Sequence, residues 1–384
     1  MSRRRGHGEG SVHQRSDGRW CAIVDLGRDT TGKRRRKYLY GKTRKEVADQ
    51  LKLLHNDQAG GVNVTTDRQT VKTFLARWLT EVAAHRNKLR TWEGYQRIVE
   101  LYLNPYLGRV LLTKLGPEHV QRMINTLVTK GLAPNTIRNI RAVLRRALNQ
   151  ALRWRLVTFN AASLAEIPRI EQEHMSALDE QQARALLRTL KGERLEVLYR
   201  VGLSLGLRRG EILGLRWIDV DFERATLSVA QILQRTKAKG LIFSTPKTKG
   251  SVRTIPMPRV LLAALKLHKE RQDQAGVENP HGLVFISTKG TPLDPDDITH
   301  RFKAFVKAAG LPIDIHFHSL RHSCATLLLA QGVPMHIVKD ILGHSQISTT
   351  MRYAHPTEQT MRDATAEMDE ILPEDPDEEE KEGE

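Results

Sequence analysis

Apolar residues along this chain recur mostly at steps of three and four, the spacing that gives an α-helix one buried face. Val71, Phe74, Leu75, Trp78, Leu79 and Val82 make one such run. Thr91 caps a second, with Tyr95, Ile98 and Tyr102, which Asn104-Pro105 and Gly108 break. Pro117 opens a third, with Val120, Met123, Ile124 and Leu127, closed by Gly131. Pro134 opens a fourth, with Ile137, Ile140, Val143, Leu144, Ala147, Leu148 and Ala151. Pro suits a first helical turn and Gly a helix end, so the pattern predicts a four-helix domain over 70–160. Before it the period changes. Strands are predicted at Ser11 to Arg15, at Arg19 to Gly27 (Trp20, Ala22, Val24 and Leu26 on one face) and at Lys33 to Tyr40, joined by turns at Ser16-Asp17-Gly18 and Asp29 to Gly32. Thr43 to Glu46 reads as a capping box, and the helix after it offers Val47, Leu51 and Leu54 for burial. Residues 1–62 are therefore expected to form a small three-stranded sheet backed by one helix.

The segment from Asn160 to Met175, with Pro168 and mixed charges, reads as a linker. A mainly helical domain with a small antiparallel sheet is expected over 175–372. Ser176 or Asp179 caps its first helix, Glu193 to Leu205 is the second and ends at Gly206, and Arg208 starts the third. Phe222 to Val229 reads as one strand, and Leu241 to Pro256 as a hairpin with a lysine-rich tip. Helices follow at Leu261 to Gln274 and Asp297 to Ala309. Three short helices close the domain: one through Cys324 to Ala330, stopped by Gly332; one from Met335 to Leu342, between Pro334 and Gly343; and one capped by Ser348 or Thr349 that carries Tyr353. Glu358 to Leu372 has near-helical apolar spacing, and the acidic stretch 373–384 reads as a disordered tail. The fold class is multidomain α+β.

Charge changes the picture. The formal net charge is +17, which fits a polyanionic partner. Arg34, Arg35 and Arg36 crowd the third strand, and Arg138, Arg141, Arg145 and Arg146 sit off the apolar face of the fourth predicted helix. Either set is a solvated face or a phosphate-contacting one, and so basic a chain favours phosphate. A small sheet faced with Arg and Lys can lie in a major groove. No apolar run reaches the length of a membrane span, and no apolar region follows Met1 to Arg5 as in a secretion signal. Cys21 and Cys324 fall in different predicted domains, so no disulfide framework is expected and a reducing cytoplasm is the natural setting. Gly27 to Arg34 nearly spells a phosphate-binding loop, but Arg34 stands where Ser or Thr belongs, and a hairpin turn is the reading.

The chemistry concentrates between His316 and His355, with His318-Ser319-Leu320-Arg321, Leu342-Gly343-His344 and Met351-Arg352-Tyr353. His318 and Arg321, three apart, share a helix face, and His344 sits just past a helix end. Cations, imidazoles and a phenol on short helices suit a phosphodiester and its attack by tyrosine. His316, His318 and His322 could suggest zinc, but no Cys or carboxylate joins them at ligand spacing, so no metal is expected. Cys324 lies in an apolar run and reads as a buried small residue.

H-x-x-R, L-G-H and a tyrosine nine residues later, preceded by Gly206-Leu207-Arg208-Arg209-Gly210-Glu211, resemble the signatures of the tyrosine recombinase (phage integrase) family. The resemblance implies a catalytic set of Arg208, Lys247, His318, Arg321, His344 and the nucleophile Tyr353, with Lys249 as competitor for Lys247. It implies a 3′-phosphotyrosyl intermediate and no metal or other cofactor. The partners it implies are double-stranded attachment sites of core and arm type, a homotetramer on DNA, and an excisionase or host DNA-bending protein. Residues 1–62 then resemble an arm-type DNA-binding domain and 70–160 a SAM-like core-binding domain, with the linker letting two domains clamp the duplex. A mobile-element integrase in a bacterial cytoplasm, at the nucleoid, is the implied function. The alternatives are a non-catalytic DNA-binding regulator of the same fold and a type IB topoisomerase.

Overall fold

The computed structural model describes residues 11–28, 34–59, 69–169, 176–246, 250, 252–344 and 346–351; of these, 26–28, 35, 53–59, 348 and 349 are described as backbone only. The chain divides into two compact units, Met1–Gln172 and Glu173–Glu384.

The first unit opens with β1 (Ser11–Gln14), β2 (Trp20–Arg28) and β3 (Arg34–Gly41), an antiparallel sheet in that order, followed by α1 (Arg44–Ala59). Arg28 pairs with Arg34 in antiparallel register, so the glycine-flanked stretch joins two hairpin strands and not a strand to a helix. Ala22, Val24 and Val47 are buried. The Glu46 amide donates to Thr43 Oγ1, as a capping box requires, while the Glu46 carboxylate reaches back to the Lys42 amide. Leu54's side chain lies outside the described residues.

A helical bundle follows. α2 (Val71–Trp78) runs through a π-helical turn, Leu79–Ala83, into the short α3 (Ala84–Arg86). α4 (Leu89–Ile98) runs likewise through Val99–Leu103 into α5 (Asn104–Leu107). α6 (Pro117–Thr129) and α7 (Pro134–Arg153) complete the bundle, with Pro at the first turn of each. Thr91, expected to cap, lies inside α4, whose N-cap is Lys88. The apolar core does not stop at residue 160. Asn160 caps a further turn, α8 (Ala161–Leu164), and Ala161, Ala162 and Ala165 join the bundle core. The first residues of the expected linker are thus packed structure.

The second unit begins with α9 (Glu180–Thr189), capped by Asp179 in a box with Gln182, then α10 (Glu196–Leu205) and α11 (Arg209–Leu213). Phe222 to Val229 is not one strand. β4 (Val220–Asp221) and β5 (Thr226–Val229) form a tight hairpin, because Asp221 Oδ1 accepts from the Glu223 and Arg224 amides and Ala225 takes φ +51°. Leu241 to Pro256 is not one hairpin either. β6 (Ile232–Thr236) pairs with β7 (Gly240–Ser244), while β8 (Arg253–Pro256) pairs with β5 in a second sheet. α12 (Arg259–Gln274), α13 (Pro295–Ala308), α14 (Ser319–Ala330), α15 (Met335–Leu342) and α16 (Ile347–Thr350) follow. Val284 to Ile286 forms no strand and contributes only an isolated bridge, Ile286 to Pro292. One core underlies the site: the Tyr199, Phe302 and Phe317 rings pack in it at tilted and edge-on angles, with Leu320.

Candidate active site

Two glycine-terminated helices converge on α14. α10 ends at Gly206 (φ +60°) and α15 at Gly343 (φ +66°). Gly206 suits this turn because its φ is left-handed, and a β-carbon there would also press on Leu342 Cδ2 at 2.3 Å and Cys324 Sγ at 3.2 Å. Between the two helix ends lies Arg321, 2 % exposed. Its Nη1 donates to the Gly206 carbonyl and its Nη2 to the Leu342 carbonyl, both at 2.7 Å. The guanidinium is thereby fixed at the floor of the site.

Arg208 occupies the N-cap of α11, and its side chain is 41 % exposed. Glu211, one turn on, accepts from Arg208 Nη1 at 2.7 Å and from the Arg208 amide at 3.0 Å. The ion pair that could have been Arg208's only role is present, yet it leaves the guanidinium at the surface. A second arginine shares that carboxylate: Arg253 Nη2 lies 3.1 Å from Glu211 Oε2. Burial pushes the Glu211 carboxyl up, but Arg253 and Arg208 outweigh burial and hold it below the usual range.

His344 follows Gly343 and is buried. Its amide donates to the Lys339 carbonyl, and its Nδ1 lies 2.9 Å from Thr350 Oγ1. Burial, then Arg321, Arg208, Arg253 and His318, push its imidazole down to about 3, so the ring is neutral near pH 7. If the Thr350 hydroxyl donates to Nδ1, the neutral tautomer carries its proton on Nε2. His318 sits at the N-cap of α14 in helical conformation, one turn before Arg321, with its ring against His322 at 4.6 Å. Desolvation by its neighbours, then the charges of Arg321, His316 and Arg208, push it down to about 4. The His318 ring is exposed, so water opposes the burial part of that push.

Arg208, His318, Arg321 and His344 therefore share one electrostatic neighbourhood. Lys247, Lys249 and Tyr353 lie outside the described residues. The N-cap of α16 is Gln346, so Ser348 and Thr349 fall within the helix and do not cap it. Arg253 and Thr350 have no signal in local spacing; each is recognisable only once the strands and helix ends are assembled. Cys324 is buried, with its thiol pushed up to about 12 by that burial, and Cys21 is likewise a buried free thiol. Among the described residues, no three or more His, Cys, Asp or Glu side chains gather as a metal site.

The expected DNA-facing arginines divide. On β3, Arg34 and Arg36 share the exposed face with Tyr38 and Tyr40, which stack at 6.5 Å, and Arg15 lies over the Tyr40 ring. The side chain of Arg35 lies outside the described residues. On α7, Arg138 and Arg145 are exposed. Arg141 is turned to internal use, because its Nε and Nη2 donate to the Ala162 and Ser163 carbonyls at 2.7 and 3.1 Å and so fasten α8.

Residues 176–360 match the phage integrase family and residues 70–128 its N-terminal SAM-like domain. The tyrosine recombinase XerC-like protein of Caldanaerobacter subterraneus subsp. tengcongensis is 31% identical over 357 residues, which cover 86% of this chain and 91% of that protein. The chain belongs to the phage integrase family of tyrosine recombinases. As a tyrosine recombinase it is an enzyme that cuts and rejoins DNA. The ICEBs1 integrase of Bacillus subtilis is 24% identical over 94% of this chain and 100% of its own length. In fold, the recombinase is similar to the Tn1549 transposon integrase in complex with a circular intermediate DNA (TM-score 0.70, 24% identity, 79% of this chain and 99% of that one). It is also similar to a lambda integrase tetramer bound to a Holliday junction (TM-score 0.59, 19% identity, 92% and 97%). No helix among the described residues is long and apolar enough to cross a membrane.

Proposed function

We propose that this recombinase integrates or excises a mobile element by exchanging strands between attachment sites, using Arg208, Lys247, His318, Arg321, His344 and Tyr353. The observation that carries the reading is that the His318 and His344 imidazoles both feel the charges of Arg208 and Arg321, with Arg321 held by two buried carbonyls and Arg208 partly exposed. A phosphodiester resists nucleophiles because its oxygens are anionic. The two guanidiniums offset that charge and the further charge of the pentavalent transition state. His344, neutral, donates a hydrogen bond to a non-bridging oxygen. The Tyr353 phenol, with an ordinary pKa of about 10, loses its proton as its oxygen bonds to phosphorus, and His318 either accepts that proton or holds the phosphate in register. The bond from phosphorus to the 5′-oxygen breaks, and Lys247 protonates the leaving oxygen. The product is a 3′-phosphotyrosyl ester, which a different 5′-hydroxyl reverses without ATP.

Around this centre we assign residues 1–62 to arm-type sites, 70–160 (with the packed turn after it) to the core site, 175–372 to catalysis and 373–384 to an acidic tail. Arg34 and Arg36 with two tyrosines on one face support the first assignment, as does Arg138 and Arg145 exposure the second. Lambda integrase is a tetramer on a Holliday junction, which supports a homotetramer here. An excisionase or host DNA-bending protein would set direction, in a bacterial cytoplasm at the nucleoid.

The test uses a core-site duplex selected from random sequence by binding to this chain, nicked so that cleavage releases a short 5′-hydroxyl fragment. Wild type and Tyr353→Phe are run on a denaturing gel. A covalent adduct from wild type alone is expected. Binding by both without an adduct from either would favour the regulator, and an adduct from both would move the nucleophile elsewhere.

A further inference from the structure

Arg253 stands apart from every motif that marks the site, yet it is one of the best-held cations in the second unit. Its side chain is 8 % exposed. Nε donates to the Ile341 carbonyl at 2.7 Å, in the last turn of α15, and Nη2 meets Glu211 at 3.1 Å. Gly343 rests on the same guanidinium: a β-carbon there would fall 2.8 Å from Arg253 Nη1 and 3.0 Å from its Cζ. One rigid fork therefore touches three things at once. It holds the carboxylate that orients Arg208, the carbonyl just before the turn that presents His344, and the glycine that makes that turn. Its own backbone is pinned as the end of β8, paired with Val229 of β5.

We infer that Arg253 is a positioning residue that sets the spacing between Arg208 and His344, and so the width of the seat for the scissile phosphate. The inference rests on the catalytic reading given above. Arg208 is tied to Glu211 in α11, and His344 to the Lys339 carbonyl of α15 and to Thr350, but none of these ties sets the distance between the two residues. Arg208 is half exposed and tied through Glu211; His344 lies past the end of α15 and is tied through the Gly343 turn. Arg253 is the group that joins the two ties. Two arginines on one carboxylate also leave the trio with a net positive charge, which suits an anionic ligand. A planar fork can serve Ile341 and Glu211 together because its donors diverge in a fixed plane; a lysine ammonium at the same place can serve one or the other.

The test measures single-turnover adduct formation by the full chain at saturating protein, on the nicked core-site duplex, for wild type, Arg253→Lys and Arg253→Met. A second duplex carries a methylphosphonate at the scissile position, which removes the anionic non-bridging oxygen and with it the need for matched cation and imidazole. On the ordinary phosphate, Arg253→Met is expected to react about 100-fold more slowly, the scale of a misplacement near 1 Å, with Arg253→Lys between it and wild type. On the methylphosphonate the deficit is expected to shrink to a few-fold. Both duplexes are run on one preparation, so a smaller folded fraction cancels in the ratio. An equal deficit on both duplexes means Arg253 only stabilises the unit, and the inference fails. So does a wild-type rate from Arg253→Lys on phosphate, since the shared fork would then be unnecessary. Absence of an adduct from wild type itself would sink the catalytic reading and this inference with it.

Discussion

The helical bundle and the second unit solve opposite problems with similar amounts of apolar core. In the bundle, Asn160 is the one buried polar side chain among the described residues, and its amide is fully used: it donates to the Arg145 carbonyl and Asn149 and accepts from the Ala162 amide. Arg138, Arg145 and Arg146 of α7 face outward, and Arg141 alone among the four fastens α8. The second unit buries Glu211, Arg321, His322 and His344, together with Ser319, Ser323 and Thr350. A buried charge is costly unless its bonds are complete, so such a cluster persists only where each member is held. The contrast teaches where sequence change is tolerated: the arginines proposed to meet DNA sit on a surface that can vary, whereas Arg321 and His344, proposed for the reaction, are built into the core that folds the unit.

The largest expected effect tests that fusion of folding and chemistry. Arg321→Ala leaves two buried carbonyls without their donor and should lower unfolding stability by about 3 kcal/mol. It should also slow adduct formation on the order of 10²–10³-fold. Urea unfolding and the adduct assay report the two losses, and a rate loss with wild-type stability would break the comparison. Next comes the division within α7. Arg141→Ala should cost about 1–2 kcal/mol in bundle stability, for its bonds to α8, and leave the salt dependence of DNA binding unchanged. Arg145→Ala should do the reverse, reducing the slope of log affinity against log salt by about 0.9 for one lost phosphate contact. If both arginines change the slope alike, the internal role of Arg141 is wrong.

Smaller effects sharpen the picture. Thr350→Val removes the partner of His344 Nδ1 and should slow cleavage by up to about tenfold, roughly the worth of one hydrogen bond, with DNA affinity intact. The smallest concerns His322, buried outside the proposed catalytic set. Burial, then His318, His316 and Arg321, push it down to about 4. The unfolded chain then binds the extra proton first, so this contribution to stability is present above the ordinary value of 6.5 and is lost as pH falls towards 4. Thermal melts of wild type and His322→Gln should converge as pH falls through that window; parallel curves would remove His322 from the account.

Much of this was legible in the chain. Pro334 and Gly343 bracket α15 to the residue, because one fixes φ at a helix start and the other supplies the left-handed stop. His318 and Arg321 share a face as their spacing requires. The strand pairings of the second unit were not legible. Leu241 to Pro256 has apolar flanks around a basic middle, and nothing local says that one flank pairs backwards with β6 and the other with β5. Asp221 closing a turn at Ala225 is equally hidden, because no Gly, Pro or Asn stands in Asp221 to Thr226 to mark it. Arginines on α7 look alike by period, and only the packed turn after Asn160 tells Arg141 from Arg145. Arg253 and Thr350 are invisible for the same reason, since their partners are distant in sequence.

The two carbonyls that hold Arg321 have a further consequence. Both belong to helix C-termini, those of α10 and α15, where aligned peptide dipoles place about half an elementary negative charge. These contacts solvate the guanidinium with dipoles and not with an anion. Dipoles stabilise a buried cation without cancelling its formal charge. In the proposed reaction, a phosphate bound at Arg321 would leave these two contacts in place and would meet a guanidinium whose charge they do not cancel.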